Sequence, residues 1–242
     1  MAPRNFIASA LAANDVCTEV YLVRHGEVES QHWDTLYGRM DVLLSERGKQ
    51  QAEKVGVFLK PKEIDVVISS PLKRAVYGAK QVAKHYGLDV LIDDAFIELD
   101  RGEWSGFSLE KVRLEYPKLA DRVEEDPTFN EHNGECFEMV GEVGQDEFAF
   151  VSRRVVDALK GYIERFKGKR ICVVSHYYVT KALLLVAQGI PLCRMASIDI
   201  PLGSISGLTF ASNTKKSSEN QFPSNLCFPF ESLVNYAGKC PV

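Results

Sequence analysis

The chain has 242 residues, a formal net charge of -4, 45% hydrophobic residues and 26% charged residues. This balance is typical of globular proteins and excludes a disordered or fibrous chain, and the length allows one substantial core, so we expect a single domain over residues 1–242. The negative charge argues against nucleic acid as a partner, because binding to a phosphate backbone draws on a basic face. A site for a phosphate group would have to be a local basic pocket.

The sequence shows no pattern of a membrane span, a secretory signal or a metal site. No apolar run reaches the roughly 20 residues of a membrane-spanning helix, so we expect no membrane partner. The segment Met1–Asn14 lacks the long apolar core of a signal peptide, although organelle targeting stays open. The six cysteines form no C-x-x-C pair, which predicts free thiols in a reducing cytoplasm and neither a zinc site nor a redox motif. They are Cys17, Cys136, Cys172, Cys193, Cys227 and Cys240.

Short β-branched runs alternate with helical patterns along most of the chain, which predicts βαβ units and a parallel sheet. The apolar runs cover residues 19–23, 65–69, 170–174 and, near the end, 204–210. The predicted helices cover residues 45–59, 70–85, 151–166 and 179–188. For the second helix, Ser70 is the expected N-cap, Pro71 the first helical residue and Gly87 the stop signal.

Two regions depart from the alternation. Residues 117–145 are rich in acidic residues and turn formers, and we interpret them as the body of an insertion or lid spanning 107–150. After the strand at 204–210, residues 212–218 are a predicted polar loop and residues 227–236 a predicted final edge strand.

Basic side chains and histidines follow three of the predicted strands. Arg24 and His25 follow the first, Arg74 lies shortly after the second, and His176 follows the third. Ligands of an open parallel sheet bind beyond the carboxyl ends of its strands, so these four side chains should meet at one crevice. Their mutual repulsion would be relieved by a dianionic phosphoryl group, which could also use the helix N-terminus at Ser70.

Four motifs in order resemble the histidine phosphatase superfamily, the clan of cofactor-dependent phosphoglycerate mutases and fructose-2,6-bisphosphatase. They are Leu22–Glu27, Leu44–Ala52, Ser69–Ala75 and Val174–His176, and the resemblance runs from about Val20 to Phe210. It implies a three-layer α/β/α sandwich with a mostly parallel central sheet, phosphoglycerate mutase-like. It also implies His25 as the nucleophile, with Arg24, Arg74 and His176 holding the phosphoryl oxygens. Since arginines supply the charge, we expect no metal and no other cofactor.

The resemblance places the proton-carrying carboxylate in the segment Phe96–Asp100, which is followed by a Gly-x-Trp-x-Gly-like stretch. Glu98 is our choice, and Asp100 and Glu103 are the alternatives. Such a carboxyl would protonate the departing alcohol oxygen and then accept a proton from water.

The chain departs from the family pattern at several positions that bear on the substrate. Val28 and Gln31 stand where the family has Ser or Thr and Asn, although Gln31 keeps an amide for a phosphoryl oxygen. Tyr177 and Tyr178 replace small residues, and two interpretations stay open, substrate contact and packing beneath the lid. The predicted substrate-binding residues are Arg24, Gln31, Gly38, Arg74, Arg101 and Tyr177, and Glu135 and Cys136 are expected at the substrate end.

These residues predict a phosphatase that hydrolyses a small phosphomonoester, a sugar phosphate or similar metabolite, through a phosphohistidine. The acidic lid disfavours a second phosphate on the substrate, unless its carboxylates form a solvated face that points away. The alternatives are phosphoryl transfer of the phosphoglycerate mutase type and an inactive phosphate-binding interaction protein. Whether the chain is a monomer or a homodimer stays open. The lid carboxylates in question are Glu124, Glu125, Asp126, Asp146 and Glu147.

Overall fold

The computed structural model describes residues 17–119, 122, 126, 129, 132–136, 151–190 and 192–211. Its strands are β1 (Cys17–Arg24), β2 (Val66–Ser69), β3 (Val90–Ile92), β4 (Arg170–Ser175) and β5 (Ile205–Ala211). Its α-helices are α1 (Glu46–Leu59), α2 (Lys73–Ala83), α3 (Leu109–Glu115), α4 (Val151–Arg165) and α5 (Tyr177–Ala187). The predicted features at 1–14, 212–218 and 227–236, and most of the predicted lid, lie outside the described residues.

The strands form one sheet in the order β3-β2-β4-β1-β5. The contacts of β1 with β4, β4 with β2 and β2 with β3 are parallel, and β5 runs antiparallel to β1 at one edge. The predicted mostly parallel sheet is therefore confirmed. Strand β3 was missed because it has three residues at the other edge, with no fully buried face to give an apolar pattern.

Side chains of the central strands alternate between two cores, one on each face of the sheet. Val20 and Leu22 of β1 pack on one face with helices α4 and α5, whereas Tyr21 and Val23 pack on the opposite face with α1 and α2. The sheet is thus covered on both sides, which confirms the three-layer α/β/α sandwich. A third, smaller cluster around Trp104 packs beneath α3.

Helix α2 begins at Lys73, so the predicted start at Ser70 and Pro71 is wrong. The N-cap position is Leu72, which provides no side-chain cap. The Oδ1 atom of Asp41 accepts a hydrogen bond from the Lys73 backbone N–H at 2.8 Å instead. The Asp41 carboxylate, from a distant loop, thus caps the helix in place of Ser70. The hydroxyl of Ser70 contacts His176 instead.

Within the described residues, none of the helices combines the length and apolarity that a membrane span requires.

Candidate active site

The register of the sheet brings three strand ends together. Arg24 lies opposite Ser175 in the β1–β4 pair, so the residues that follow each of them, His25 and His176, become neighbours. The backbone N–H of His25 donates to the Ser175 carbonyl at 3.0 Å, and that of Ser70, after β2, donates to Val174 at 3.1 Å. The predicted crevice at the carboxyl ends of the strands is present.

His25 is buried, and its ring is held by the backbone. Its Nδ1–H donates to the carbonyl oxygen of Gly26 at 2.7 Å. Burial lowers the pKa of His25 well below its ordinary value, and the charges of Arg74 and Arg24 lower it further, against the opposing effect of the Gly26 hydrogen bond. The ring is therefore neutral, and because Nδ1 carries the proton, Nε2 keeps the lone pair that a nucleophile needs.

Two arginines flank His25, each anchored to backbone carbonyls. Arg74 is fully buried, and its Nη1 and Nη2 atoms donate to the carbonyls of Met40 and Gly38, each at 2.6 Å. Arg24 donates through Nη1 to the carbonyl of Ile200. The Nε atoms of both arginines are buried without a hydrogen-bond partner among the described residues. Buried guanidinium N–H groups of this kind require an acceptor, which an anion would supply.

His176 completes the basic group. Its ring centroid lies 5.2 Å from that of His25, and its Nε2 is 2.6 Å from the hydroxyl of Ser70. Burial lowers the pKa of His176 well below its ordinary value, with Arg74 the next cause. Its Nδ1 is buried without a partner in the described part of the chain, so the ring offers one further donor beside His25 if Ser70 donates to Nε2.

Glu98 lies close to this group, whereas its two rivals are engaged elsewhere. The buried Glu98 carboxylate accepts hydrogen bonds from the backbone N–H groups of Leu99 at 2.9 Å and Tyr178 at 3.3 Å. Burial lowers the pKa of the Arg74 guanidinium, and the charge of Glu98 opposes that shift. By contrast, Asp100 accepts from the Gly102 N–H, and Glu103 accepts from the side chain of Asn133.

The remaining predicted substrate-binding residues occupy different places. Gln31 is exposed, and its amide contacts Glu29 and His32 at the surface. Gly38 is buried with a φ of +36° and anchors Arg74, and an added Cβ would lie 2.8 Å from the carbonyl oxygen of Leu99. The structure therefore brings Gly38 to the site, but not Gln31.

The two tyrosines after His176 each lie against an arginine. The guanidinium of Arg24 lies 4.9 Å from the ring centroid of Tyr177, whose hydroxyl accepts a hydrogen bond from Lys181 at 2.7 Å. Arg101 is buried, lies 4.9 Å from the Tyr178 ring centroid and donates to its hydroxyl at 3.1 Å. Tyr177 thus packs against the Arg24 guanidinium, and Arg101 is used within the protein.

Glu135 and Cys136, the pair expected at the substrate end, are both buried, and their contact with a substrate stays a prediction. The carboxylate of Glu135 is 2% exposed and is bound by Arg154 at 2.6 Å and Arg39 at 3.1 Å, and Cys136 is buried. Sequence reasoning did not single out Arg39 or Arg154. A buried acidic residue needs a cation as partner, and this need is the signal that could have found them. The sequence does not indicate which cations pair with Glu135, because Arg39 and Arg154 are 96 and 19 residues away from it.

The described residues contain no group of three or more His, Cys, Asp or Glu side chains that could hold a metal ion. Chemically, the arrangement consists of the neutral imidazole of His25, the buried Nε–H groups of Arg24 and Arg74, the unpartnered Nδ1 of His176 and one nearby carboxyl. The donors suit an anion with several oxygens, and an imidazole and a carboxyl of this kind can serve as a nucleophile and a proton carrier.

Comparison with known proteins agrees with this chemistry. Residues 20–220 match the family model described as histidine phosphatase superfamily (branch 1). The chain is 34% identical over 179 residues to phosphoserine phosphatase 1 of Hydrogenobacter thermophilus, covering 74% of this chain and 80% of that protein. It is 30% identical over 175 residues to a probable phosphoglycerate mutase, GpmB, of Salmonella paratyphi A, covering 72% and 76%. The solved structure of mycobacterial glucosyl-3-phosphoglycerate phosphatase aligns with a TM-score of 0.71 at 22% identity, covering 80% of this chain and 90% of that one, a likeness that concerns the fold alone.

Proposed function

The chain belongs to the histidine phosphatase superfamily, and we propose that it hydrolyses a small phosphomonoester through a phosphohistidine formed on His25. Membership of the family and the likeness to a phosphoserine phosphatase make the chain a phosphoric monoester hydrolase. The phosphohistidine, the roles of the residues and the substrate class are the proposed parts. Sugar phosphates and phosphoserine are the first substrates to test.

The main support for the proposal is a set of buried nitrogens that have no partner among the described residues. Three buried nitrogens without partners among the described residues, Nε of Arg24, Nε of Arg74 and Nδ1 of His176, belong to the residues that surround His25. A phosphoryl group has three oxygens that can accept hydrogen bonds, and donors fixed in advance stabilise the charge that these oxygens carry in the transition state. A binding protein would not need the neutral nucleophile and the carboxyl that accompany the donors.

The reaction proceeds in two steps. Nε2 of His25 attacks phosphorus while the bond from phosphorus to the ester oxygen breaks, and Glu98 gives its proton to the departing alcohol. A water molecule then gives its proton to the Glu98 carboxylate and attacks phosphorus, which breaks the bond to His25 and releases inorganic phosphate. Glu98 and His25 return to their starting states.

A phosphatase is favoured over a mutase by the way the nearby cations are used. A mutase must hold a bisphosphorylated intermediate, which calls for further basic groups at the pocket. Arg39 and Arg154 bind the carboxylate of Glu135, and Arg101 contacts Tyr178. The charges of Arg39 and Arg154 are thus balanced by a carboxylate of the protein, and the guanidinium of Arg101 is held by a tyrosine.

The test compares phosphate release with phosphoglycerate interconversion on one preparation. We expect inorganic phosphate from p-nitrophenyl phosphate and from several metabolite monoesters in excess EDTA, with none from a His25→Ala control. In an enolase-coupled assay, 2- and 3-phosphoglycerate should interconvert negligibly even with 2,3-bisphosphoglycerate as primer. Interconversion faster than phosphate release would make the chain a mutase, and lack of turnover on every monoester would make it a binding protein. Activity lost in EDTA and restored by Mg²⁺ would contradict the metal-free mechanism.

A further inference from the structure

The backbone that carries Glu98 is held by two arginines from distant parts of the chain. The carbonyl oxygen of Glu98 accepts hydrogen bonds from Nε of Arg39 at 3.1 Å and from Nη2 of Arg154 at 3.3 Å. Arg154 also donates through Nη1 to the carbonyl of Ala95 at 2.6 Å. The turn from Ala95 to Glu98 is therefore fixed at both ends by one side chain of helix α4.

A buried carboxylate joins the two arginines. Glu135 accepts from Nε and Nη2 of Arg154 at 2.6 and 2.8 Å, the two-pronged geometry of a strong arginine–carboxylate pair, and from Nη2 of Arg39 at 3.1 Å. The backbone N–H of Glu135 donates to the carbonyl of Asp100 at 3.0 Å. We name Arg39, Glu135 and Arg154 the arginine clamp.

The charges of the arginine clamp are balanced by its neighbours. Two guanidinium groups face the carboxylates of Glu135 and Asp100, the latter 3.5 Å from Nη1 of Arg39. An ion pair as buried as that of Arg154 with Glu135 contributes little net stability, because both charges lose their hydration. The ion pair instead fixes the position of the Glu98 backbone, to which both arginines are hydrogen-bonded.

The clamp lies within electrostatic reach of the catalytic histidines. The charge of Arg154 is among the causes that lower the pKa of His176, after burial, Arg74 and His25. The Glu98 carboxylate, bound to the N–H groups of Leu99 and Tyr178, depends on the backbone position for this orientation. A displacement of about 1 Å in a proton donor can slow a reaction about 100-fold.

We propose that Arg39 and Arg154, joined by Glu135, are positioning residues that hold the Glu98 carboxyl where it exchanges its proton with the ester and water oxygens. The proposal rests on the proposed function. In this role the clamp residues act through Glu98, whose backbone carbonyl they bind.

The experiment separates proton delivery from general damage to the site. Phosphoenzyme formation is measured by rapid quench with p-nitrophenyl phosphate, whose phenolate leaves without a proton, and with phosphoserine, whose alkoxide needs one. For Arg154→Met we expect the phosphoserine rate to fall by about 10- to 100-fold more than the p-nitrophenyl phosphate rate. The matched control is Arg153→Met, which removes the neighbouring arginine that pairs with Asp157 at the surface, and it should leave both rates unchanged.

The outcomes distinguish the inference from the function on which it rests. Equal losses on the two substrates, or no loss in a folded Arg154→Met protein, would overturn the positioning role while leaving the phosphatase intact. If Arg154→Met does not fold, as judged by circular dichroism, the more exposed Arg39→Met and the isosteric Glu135→Gln must show the same selectivity, and equal losses in both overturn the role. A wild-type protein that hydrolyses neither ester would overturn the proposed function itself.

Discussion

At the scale of single residues, the protonation of His25 depends on its burial between two arginines. A histidine in water is largely protonated below its ordinary pKa of about 6.5, and a protonated ring has no lone pair for phosphorus. Burial and the charges of Arg74 and Arg24 lower the pKa of His25, so the neutral ring persists to lower pH. We propose that the same arginines bind the phosphoryl oxygens, so that they both keep His25 neutral and hold the substrate.

Glu98→Gln should slow turnover by about 100-fold or more, the scale of a lost general acid, while KM stays near its wild-type value. The reason is that the amide keeps the shape and accepts the N–H groups of Leu99 and Tyr178, but has no proton to transfer at the ester oxygen. Steady-state kinetics with phosphoserine would measure both constants. Asp100→Asn is the matched control and should stay within a few fold. If Asp100→Asn is the crippling change and Glu98→Gln is nearly silent, the proton carrier is misassigned.

At the scale of elements, the loop after β1 packs directly on the first turn of α1. An added Cβ on Gly26 would lie 2.3 Å from the carbonyl oxygen of Gly48, and one on Gly48 would lie 1.9 Å from that of Glu27. Both distances are impossible for real atoms, so the glycines permit a contact between two backbones. The position of His25 thus depends on helix α1, although α1 supplies no side chain to the site.

Gly48→Ala should therefore lower kcat by about 10-fold or more, because the loop that carries His25 must move, and should destabilise the fold by about 1–3 kcal/mol through overpacking. The comparison is Gly161→Ala in α4, where an added Cβ meets nothing within 4 Å. That variant should keep wild-type kcat and gain about 0.5–1 kcal/mol in unfolding free energy. Urea unfolding and phosphate release would be measured on both. A Gly48→Ala enzyme with normal activity would show that the loop position does not matter.

Most elements near the site were predictable from the sequence because their patterns are local. The apolar runs of β1, β2 and β4 and the helical pattern of α1 lie within short windows, and the structure confirms them. The start of α2 was not predictable, since its first N–H is bound by Asp41 from 32 residues away. The same limit applies to the arginine clamp. The three clamp residues come together only in the folded chain. By contrast, the positions of His25 and His176 after parallel strands predict from the sequence that they will be neighbours.

At the scale of the whole molecule, the fold holds three buried histidines in the neutral form. Burial is the largest cause for each, and for His132 it lowers the pKa to about 4, with the charge of Arg101 as the second cause. In the unfolded chain each histidine would titrate near 6.5. Between the folded and unfolded pKa values the unfolded chain binds protons that the folded chain does not, so stability falls as pH drops below about 6.5.

We expect the contribution of these histidines to the unfolding free energy to be nearly constant above pH 7. Between pH 6.5 and 5 their protonation in the unfolded chain should lower the unfolding free energy. His132 alone accounts for a loss of about 2 kcal/mol over that range, from 1.36 kcal/mol per pH unit. Urea unfolding at pH 7.5, 6.0 and 5.0 would measure the slope for wild type and for His132→Gln, with the pH 7.5 value of each as its own reference. The variant should bind about one proton fewer on unfolding. An unchanged slope would mean that His132 is not held neutral.

The proposed mechanism depends on a phosphohistidine at His25, and its direct detection is the most decisive measurement. The enzyme is mixed with ³²P-labelled substrate, quenched within milliseconds in alkali, digested and mapped by mass spectrometry. We expect label that is stable in base and labile in acid, located on the peptide that contains His25 and absent from His25→Ala. Label that persists in His25→Ala, or label on any other residue of an active wild-type enzyme, would contradict this mechanism.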